Sequence, residues 1–341
     1  MSSRGGGPEI LLSHGAGGRR THDLVRDLFL PRFHNEALAA LEDAARLELP
    51  CGGQIAFTTD SFVVSPIEFP GGDLGKLAVC GTVNDLAALG AQPLALSAGF
   101  LLEEGLPIER LERLLDSMRS VCEEVGVPIV TGDTKVVERG SLDQIFVNTA
   151  GIGLLESPLP GGVASVRPGD RILVSGPIGD HGMAVLSARN DLRIEAPILS
   201  DCAPLAGMVR SLLAACPSVR WMRDPTRGGL ATTLNELAAG ARFGILLEEE
   251  AIPVRPSVLA LAEILGLDPL YVACEGRMIV VAGEDGAEAA LESLRAHPYG
   301  REAAPIGRIV SGDPGRVALQ TRIGGRRVLD MLSGEQLPRI C

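Results

Sequence analysis

Runs of hydrophobic residues alternate with polar, glycine-bearing segments along the chain, and their lengths predict strands interleaved with helices. Strands are predicted at 55–59, 94–102, 127–130, 145–152, 171–174, 244–247, 278–281, 306–310 and 317–321. Helices are predicted at 21–29, 35–45, 73–90, 107–125, 201–216 and 256–266, with one more starting near Met183 and one ending at Ala239. The elements do not alternate strictly as in a dinucleotide-binding sheet, so the predicted class is α+β in two similar halves.

The helix that begins after Asp73 carries an acid on the face that should pack. Asp73 is a good N-cap residue, and Gly90 suits the position after the helix end. Asp85 shares a helical face with Ala78 and Leu89. A buried carboxylate is costly unless it is paired, hydrogen-bonded or bound to metal. We therefore favour a metal or ligand role for Asp85 over a purely local hydrogen bond to the backbone.

Other acids stand at the ends of predicted elements. Asp60 follows a strand directly, and Asp224 precedes a glycine-containing helix start. Asp133 and Lys135 come at the end of another strand, a common arrangement for holding a metal-bound phosphate. A β-turn with an exposed ion pair explains that last segment nearly as well.

Three further segments have both a functional and a simpler interpretation. Glu275 and Arg277 precede a strand, where an exposed ion pair would contribute little to stability. The loop at 175–182 joins a strand to a helix and could offer amides to an anion, although a plain tight turn is the default and His181 is expected in solvent. The glycine-rich stretch 14–18 is either an irregular leader or a flap that closes over phosphates.

The composition indicates a globular chain of two domains that does not bind nucleic acid. The 341 residues are 46% hydrophobic, 22% charged and 3% aromatic, with a net charge of −12. Nucleic-acid binding normally needs basic patches and stacking rings. A chain of this length exceeds one ordinary core, and the uncharged connector from Pro158 to Gly162 is the candidate boundary.

Cysteine usage and hydropathy favour a cytoplasmic protein. The seven cysteines show no CxxC spacing and no secretory segment follows Met1, so we expect reduced thiols. The stretch 77–102 carries Asp85 as its single charge, but Asn84 and Gln92 interrupt it. We expect a buried helix and strand there, not a membrane span.

The sequence ends with Cys341 after a segment, 332–337, that has no helical period. Chain ends stay mobile unless something holds them, so the Cys341 thiol is expected on a flexible arm that can enter a pocket and leave it. The alternatives are an accidental cysteine or a passive hydrophobic tail. Prenylation does not apply, because that chemistry needs three residues after the cysteine.

Seven motifs together resemble the HypE family of hydrogenase maturation proteins, which is grouped with the PurM-like aminoimidazole ribonucleotide synthetases and the selenophosphate synthetases. The resemblance covers nearly the whole chain, and its C-terminal motif is the most specific. The motifs are TTDSFVV at 58–64, FPGGD at 69–73, GTVNDL at 81–86, TGDTK at 131–135, SGPIGDHG at 175–182, MRDPTRGG at 222–229 and PRIC at 338–341.

This resemblance implies a PurM-like, two-domain α+β architecture with a flexible C-terminal tail, assembled as a homodimer. It implies a glycine-rich arm and helix at 1–34 and an ATP-binding and dimerisation domain at 35–157. A C-terminal α+β domain at 165–322 and a mobile tail at 323–341 would follow.

The resemblance also implies an ATP-dependent carbamoyl dehydratase, a lyase of the hydro-lyase type. HypF would place a carbamoyl group on the Cys341 sulfur, and ATP with Mg²⁺ would phosphorylate the carbamoyl oxygen. Loss of phosphate would leave an S-cyanide, which would pass to iron held by the HypC–HypD complex as a ligand for [NiFe]-hydrogenase. An amide oxygen is a very poor leaving group, and phosphorylation makes it a good one.

Residue roles follow from the same resemblance. Cys341 would carry the substrate, Lys135 would steady the transferring phosphoryl group, and Glu275 would take the nitrogen proton. The nucleotide and magnesium ligands would be Asp60, Asp85 and Asp224, with Lys76, Asn84 and Asp133 completing the nucleotide shell. Gly52-Gly53-Gln54 stands where related synthetases often carry a further acid, so a fourth acid is not identified.

Two other functions stay open at this point. One is an ATP-dependent synthetase of the same superfamily that activates an amide or carbonyl of a free metabolite. Selenophosphate synthesis is disfavoured, because the first cysteine after Met1 is Cys51 and not one in the glycine-rich leader. The other is a nucleotide-binding assembly scaffold that displays its tail as a docking peptide.

Overall fold

The computed structural model describes residues 9–15, 17–33, 35–50, 52–155, 159, 162–190, 198–332 and 339–341. Within these ranges the chain forms a five-stranded sheet, a seven-stranded sheet and a two-stranded ribbon. The strands are β1 (Ala45–Glu48), β2 (Gln54–Phe62), β3 (Glu68–Phe69), β4 (Gly72–Asp73), β5 (Gln92–Glu103), β6 (Ile129–Val137), β7 (Ile145–Leu155), β8 (Arg171–Val174), β9 (Val219–Arg223), β10 (Gly244–Glu248), β11 (Ile279–Ala282), β12 (Ala304–Val310), β13 (Val317–Gln320) and β14 (Arg326–Leu329). The α-helices are α1 (Arg19–Leu24), α2 (Leu30–Phe33), α3 (Glu36–Ala39), α4 (Leu74–Ala88), α5 (Ile108–Val125), α6 (Asp180–Arg189), α7 (Ala206–Ala215), α8 (Gly229–Ala238), α9 (Pro256–Leu265) and α10 (Ala287–Ala296). This arrangement confirms the α+β class in two halves.

The first sheet has the strand order β1-β2-β7-β5-β6, in which β5 and β6 are parallel and the other neighbours antiparallel. Side chains along β2 and β7 alternate between buried and exposed positions. Thr58 and Phe62 lie on the face covered by α4, whereas Phe57, Leu101 and Ile152 are exposed. The outer face of this sheet is thus apolar and open to solvent in the single chain.

Helix α4 is buried nearly all round because it lies between the first sheet, α5 and α7. Its small residues allow close approach, since a Cβ added at Gly75 would lie 2.1 Å from the backbone oxygen of Leu114. Asp73 caps the helix by accepting a hydrogen bond from the Lys76 amide at 2.9 Å. Gly90 follows the helix end with a φ of 78°. Both predicted helix boundaries are therefore confirmed.

The second sheet has the order β14-β13-β10-β12-β8-β11-β9, with β10 and β13 parallel and the other pairs antiparallel. Helices cover both faces, which explains why its central strands are apolar throughout. Ile172 and Val174 belong to the core under α8. Leu173 and Val280 belong to the core under α7 and α10.

The predicted helix at 35–45 is wrong beyond its first turn. Asn35 does cap a helix, by accepting from the Leu38 amide, but the helix ends at Ala39. Leu41 adopts a φ of 50°, and the chain then extends as β1 because it pairs with β2. Tertiary strand pairing overrides the local helical pattern here.

Other boundaries also shift. The hydrophobic pattern does not predict β9, α10 or β14. The TGDTK segment at 131–135 lies inside β6, and Asp60 lies inside β2, because both strands continue past their apolar runs. Asp201 does not cap α7, which begins five residues later at Ala206. Since β14 pairs with β13, the second sheet extends beyond residue 322.

The two ends of the described chain lie against the rest of the protein. The Arg19 amide donates to the Leu332 carbonyl oxygen at 2.9 Å. Gly18 is so close that an added Cβ would lie 2.3 Å from the same oxygen. Ile340 is 3% exposed and packs into the core around α4.

Parts of the sequence predictions lie outside the described residues. These are the start of the glycine-rich arm at 1–8, Cys51, the connector positions 156–158, 160 and 161, and the arm at 333–338. In the part of the chain that is described, no helix is long and apolar enough to cross a membrane.

Candidate functional site

Three acids that the sequence assigns to magnesium and phosphate meet where the two halves join. Asp60 comes from β2, Asp85 from α4 and Asp224 from the end of β9. The pKa of Asp85 lies well above its usual value because of burial, followed by the charges of Asp224, Asp43 and Asp60. The Thr58 hydroxyl oxygen lies 2.8 Å from Asp85 Oδ2. The structure brings the three acids together, and their role as ligands stays a prediction.

Asp43 is a fourth acid in this cluster, and sequence reasoning did not identify it. Burial raises the pKa of Asp43, and Arg223 opposes that rise through an ion pair of 2.6 Å between Nε and Asp43 Oδ1. The Asp43 carbonyl oxygen also lies 3.0 Å from the Thr58 hydroxyl. Asp43 stands two residues before β1, and this position could have indicated a site acid. That signal can be read only if β1 is first recognised as a strand.

Arg223 pairs with both Asp43 and Glu236. Arg223 Nη1 lies 2.7 Å from Glu236 Oε2, and Nη2 donates to the Leu41 carbonyl oxygen at 2.8 Å. His22 Nε2 lies 2.8 Å from Glu236 Oε1. The hydrogen bond with Glu236 is the largest cause of a raised pKa at His22. The N-terminal helix is therefore linked to the acid cluster through one continuous polar network.

The four acids fit a magnesium ion that a nucleotide helps to bind. Oxygen ligands of negative charge are the ligands that this ion prefers. Among the described residues, no three Asp, Glu, His or Cys side chains stand close enough together to enclose a metal ion. In nucleotide sites Mg²⁺ is usually held by one or two carboxylates and by phosphate oxygens, so the arrangement suits an ion that is completed by its substrate.

Glu275 lies beside the acids, and its backbone is held from two sides. The Glu275 amide donates to Asp201 Oδ1 at 2.9 Å, and Asn84 Nδ2 donates to the Glu275 carbonyl oxygen at 3.2 Å. Within the described residues, its Oε1 atom has no hydrogen-bond partner. Burial, followed by Cys202 and Asp224, raises the pKa of Glu275 well above its usual range. A carboxyl group with a raised pKa is a better base near neutral pH.

Cys341 is docked between Glu275 and Arg227. Burial raises the pKa of the Cys341 thiol; Arg227 lowers it, and Glu275 and Asp60 raise it further. Cys341 is likewise the largest cause of a raised pKa at Arg227, whose Nη2 lies 3.8 Å from Asp60 Oδ1. The sulfur thus stands next to a buried carboxyl group, a guanidinium group and the acid cluster. Sequence reasoning missed Arg227, because only the docked tail reveals what it faces.

The side chain of Asn84 is held by the second half in the single chain. Its side chain is fully buried, and Nδ2 donates to the carbonyl oxygens of Ala203 at 3.0 Å and Glu275 at 3.2 Å. Its Oδ1 accepts from the Leu205 amide at 2.8 Å. These contacts occupy both ends of the amide. Asn84 therefore joins α4 to the second half and holds the Glu275 carbonyl oxygen, and its place in a nucleotide shell stays a prediction.

Lys76, Asp133 and Lys135 are not brought to the acid cluster within the single chain. Lys76 precedes Asp85 by nine residues, about 13 Å along α4, and its amine donates to a backbone oxygen at 3.1 Å. Asp133 and Lys135 pair with each other at 2.8 Å on β6. That strand is three positions from β2, or about 14 Å. In the single chain, Asp133 and Lys135 therefore form an exposed ion pair, which was the simpler of the two interpretations.

Two residues expected at the surface are buried. His181 is fully buried; its Nδ1 lies 2.8 Å from Ser200 Oγ and its Nε2 lies 2.8 Å from the Ile340 carbonyl oxygen. Arg277 donates to backbone carbonyl oxygens and is not paired with Glu275. Both simple interpretations fail: the chain end and Phe69 cover His181, and Arg277 lies against Pro177 and Asp201.

The glycine-rich stretch lies over Arg227. Arg227 Nη1 donates to the Gly15 carbonyl oxygen at 3.4 Å, and a Cβ added at Gly17 would lie 2.7 Å from the Arg227 Cβ. The described part of the stretch is therefore packed and not a free leader. Its closure over phosphates stays a prediction.

Comparison with protein families matches both halves. The family model described as AIR synthase related protein, N-terminal domain, matches residues 41–155. The model described as AIR synthase related protein, C-terminal domain, matches residues 167–320.

Similar curated proteins and solved structures span almost the whole chain. The chain is 52% identical over 97% of its length to carbamoyl dehydratase HypE of Rhizobium leguminosarum bv. viciae, of which it covers 95%. It is 45% identical over 97% of its length to carbamoyl dehydratase HypE of Escherichia coli (strain K12), of which it covers 99%. A chain of a HypE–HypF complex is 47% identical, with a TM-score of 0.85 over 91% of this chain and 99% of that one. The structure of HypE in complex with ATP is 50% identical, with a TM-score of 0.82 over 98% of this chain and 100% of that one.

Proposed function

The chain belongs to the AIR synthase related family and, within it, to the HypE carbamoyl dehydratases of [NiFe]-hydrogenase maturation, and from this premise we propose how its residues carry the reaction. The reaction is the ATP-dependent dehydration of an S-carbamoyl group to an S-cyanide. Family membership selects this activity over a metabolite synthetase and over a non-enzymatic scaffold.

One observation carries the proposal: Cys341 is docked beside Glu275, Arg227 and Asp60. A carbamoyl group on this sulfur would lie between a buried carboxyl group and a guanidinium group. Arg227 is suited to stabilise negative charge that develops on the carbamoyl oxygen, because its charge is already held in place by neighbouring acids. We therefore add Arg227 to the catalytic residues.

ATP is the nucleotide of this site, in keeping with the similar HypE solved in complex with ATP. Four acids would hold a magnesium ion against the phosphates of ATP, namely Asp43, Asp60, Asp85 and Asp224. The ion would neutralise charge on the transferring phosphoryl group. The position of these acids supports this role: Asp224 is buried and the other three are partly buried, and uncompensated carboxylates at such a place are costly.

Glu275 is proposed as the base. Transfer of the γ-phosphoryl group of ATP to the carbamoyl oxygen would release ADP, and the amide nitrogen would lose its first proton to solvent as the C=N bond forms. Glu275 would take the second nitrogen proton as the C–O bond breaks, phosphate leaves and the C≡N bond forms. The products are S-cyanide, ADP and phosphate. Glu275 can accept a nitrogen proton in its ionised form, because its Oε1 atom is unpartnered within the described residues and its side chain lies beside Cys341.

Glu275→Gln tests this step, because it keeps the shape of the side chain and removes the base. The carbamoylated variant given magnesium-ATP should dehydrate at least about 100-fold more slowly. Glu284→Gln is the matched control, since Glu284 is exposed and pairs with Arg171 away from the site. Equal dehydration rates for Glu275→Gln and wild type would remove Glu275 from the mechanism.

Lys135 is proposed to act from a second copy of the chain. In the single chain it stands about 14 Å from β2, on an edge strand whose residues are almost all exposed. An unpaired edge beside an apolar sheet face is a liability that association can remove. A symmetric homodimer through this sheet would bring Lys135 and Asp133 toward the site of the partner copy.

Subunit mixing distinguishes action within one chain from action across a dimer. Lys135→Ala and Glu275→Gln homodimers should each be inactive. A mixed dimer contains one site with an intact Glu275 and a Lys135 supplied by the other subunit, so mixing should restore up to about half of the activity per mixed dimer. No recovery after verified subunit exchange would contradict action across the dimer.

The tail is proposed to undock to meet its partners. HypF would carbamoylate Cys341, as the similar HypE–HypF complex suggests, and the HypC–HypD complex would accept the cyanide. The nine residues that follow Leu332, up to Cys341, can span at most about 30 Å, enough to leave the pocket. We further propose a cytoplasmic location, in keeping with the free thiols of the described cysteines.

A further inference from the structure

The last three residues of the chain are held by three side chains outside the reacting site. Arg189 Nη2 donates to the Arg339 carbonyl oxygen at 2.7 Å. His181 Nε2 lies 2.8 Å from the Ile340 carbonyl oxygen. Asp143 Oδ2 lies 2.8 Å from Arg339 Nη2. Two main-chain oxygens and one cation of the tail are therefore bound.

The contacts of His181 fix its tautomer. A carbonyl oxygen can only accept, so Nε2 carries the proton that it donates to Ile340. Nδ1 must then accept from the Ser200 hydroxyl at 2.8 Å, while Ser200 Oγ accepts from the Cys202 amide at 3.1 Å. The Phe69 ring meets the imidazole edge at a centroid distance of 5.3 Å. Burial lowers the pKa of His181, which keeps the ring in this neutral form.

Arg189 joins the tail to the first half of the chain. It is the last residue of α6, and its Nε donates to the Ser65 carbonyl oxygen at 2.8 Å. The Ser65 amide donates to the Arg339 carbonyl oxygen at 3.2 Å. Arg339 itself has a φ of 54°, and this left-handed turn directs Ile340 and Cys341 into the pocket.

We propose that His181, Arg189 and Asp143 form a tail clamp that recognises residues 339–341 of this chain and positions the Cys341 sulfur for dehydration, an inference that rests on the proposed role of Cys341 as carrier. All three are positioning residues, because they contact the tail and not the reacting atoms. The occupant is defined by chemistry: two consecutive carbonyl oxygens, a guanidinium group and an apolar side chain in the Ile340 position.

The clamp has a chemical consequence. Its hydrogen bonds end on main-chain oxygens and on Arg339, and none is made to the sulfur. The same contacts can therefore hold the tail when the sulfur carries hydrogen, a carbamoyl group or cyanide. Docking then depends on the residues of the tail and not on the group that the sulfur carries, so each form can enter and leave the pocket.

The rate at which iodoacetamide labels Cys341, measured by peptide mass spectrometry on the full chain without ATP, tests the clamp. A docked thiol is shielded, and loss of one intramolecular hydrogen bond shifts an equilibrium by up to about tenfold. His181→Ala should therefore be labelled up to about tenfold faster than wild type. His181→Gln, whose amide can still donate to Ile340, should recover part of the protection. His297→Ala is the matched control, because His297 contacts Tyr299 and not the tail.

A second variant keeps the test decisive if His181→Ala does not fold. Asp143→Ala removes a half-exposed side chain and should also accelerate labelling, by a smaller factor. If Asp143→Ala and His181→Gln both fold and Cys341 is labelled in both as slowly as in wild type, the clamp is overturned.

The dehydration rate gives an independent readout. Labelling needs neither ATP nor a carbamoyl donor, so it reports docking even if the proposed reaction at Cys341 is wrong. Clamp variants carbamoylated at Cys341 should dehydrate more slowly in proportion to their loss of protection. Faster labelling with an unchanged dehydration rate would show that docking does not position the sulfur, and would overturn the positioning role.

Discussion

Asp85 shows at the scale of one residue how this site is built. It lies among Asp43, Asp60 and Asp224, and burial together with these neighbours holds its pKa well above the usual value. Such a cluster is unfavourable for the empty protein and becomes favourable when a cation binds. In the proposed magnesium site, the acids would therefore lower the stability of the protein without the ion and raise its affinity for the ion.

Asp85→Asn tests this balance. The variant should fold and, without nucleotide, be at least as stable as wild type, because it removes a carboxyl group whose ionised form is disfavoured by burial and by three neighbouring acids. Its ATP turnover should fall by about 100-fold or more, since a neutral amide binds a hard cation weakly. Asp116→Asn, at an exposed position on α5, should change neither property. Wild-type turnover in Asp85→Asn would contradict the assignment.

Asp180 gives a prediction for pH dependence. Its pKa is raised from 3.8 to about 6, first by burial and then by Asp201, while Arg277 and Arg255 oppose the rise. An acid whose pKa is higher in the folded state binds its proton more tightly there, so it stabilises the fold below pH 3.8. That contribution disappears as the pH rises through about 6.

The corresponding measurement is the free energy of unfolding of wild type minus that of Asp180→Asn. Two pKa units correspond to about 3 kcal/mol, so this difference should decrease by roughly that amount between pH 4 and pH 8. A difference that is flat or increases over this range would show that the carboxylate is not destabilised in the fold.

At the scale of elements, local patterns predicted those elements whose ends carry their own signals. Asp73 and Gly90 bound α4 as expected, and Gly126 ends α5 with a φ of 78°. The short strand β1 could not be predicted, because its extended form depends on pairing with β2. Asp43 could not be identified for the same reason, because the pairing of β1 with β2 is what places it beside the other acids.

The N-terminal glycine stretch gives a prediction at this scale. A Cβ at Gly18 would lie 2.3 Å from the Leu332 carbonyl oxygen, whereas one at Gly15 would meet its nearest neighbour at 3.6 Å. Gly18→Ala should therefore detach the segment from the start of the tail, and Gly15→Ala should not. Trypsin should then cleave after Arg19 or Arg20 several times faster in Gly18→Ala alone. Equal cleavage rates in both variants would argue against this packing.

At the scale of the whole molecule, the outer face of the first sheet predicts assembly. Leu101 on this face is 44% exposed, and Leu259 on α9 of the second half is 42% exposed. If the sheet forms the homodimer interface, Leu101→Glu should give a monomer in sedimentation at micromolar concentration and Leu259→Glu should not. A monomeric wild type, or a dimer that tolerates Leu101→Glu, would contradict the proposed interface.

The site was predictable where one segment carries its own signal, and not where distant segments meet. Helical spacing alone singled out Asp85, motifs indicated Asp60, Asp224 and Cys341, and the family resemblance suggested Glu275. Arg227 and His181 could not be given roles, because their significance depends on where the chain end docks. Lys135 illustrates the remaining limit, since the role proposed for it requires a second copy of the chain.

The central claim is that Cys341 carries the group that is dehydrated. The most direct measurement is the intact and peptide mass of the chain, carbamoylated at Cys341 and then given magnesium-ATP. The account predicts a loss of the mass of one water at Cys341 and at no other residue, and it predicts that Cys341→Ala folds, binds ATP and yields no S-cyanide. Loss of water at another cysteine, or hydrogenase maturation supported by Cys341→Ala, would contradict it.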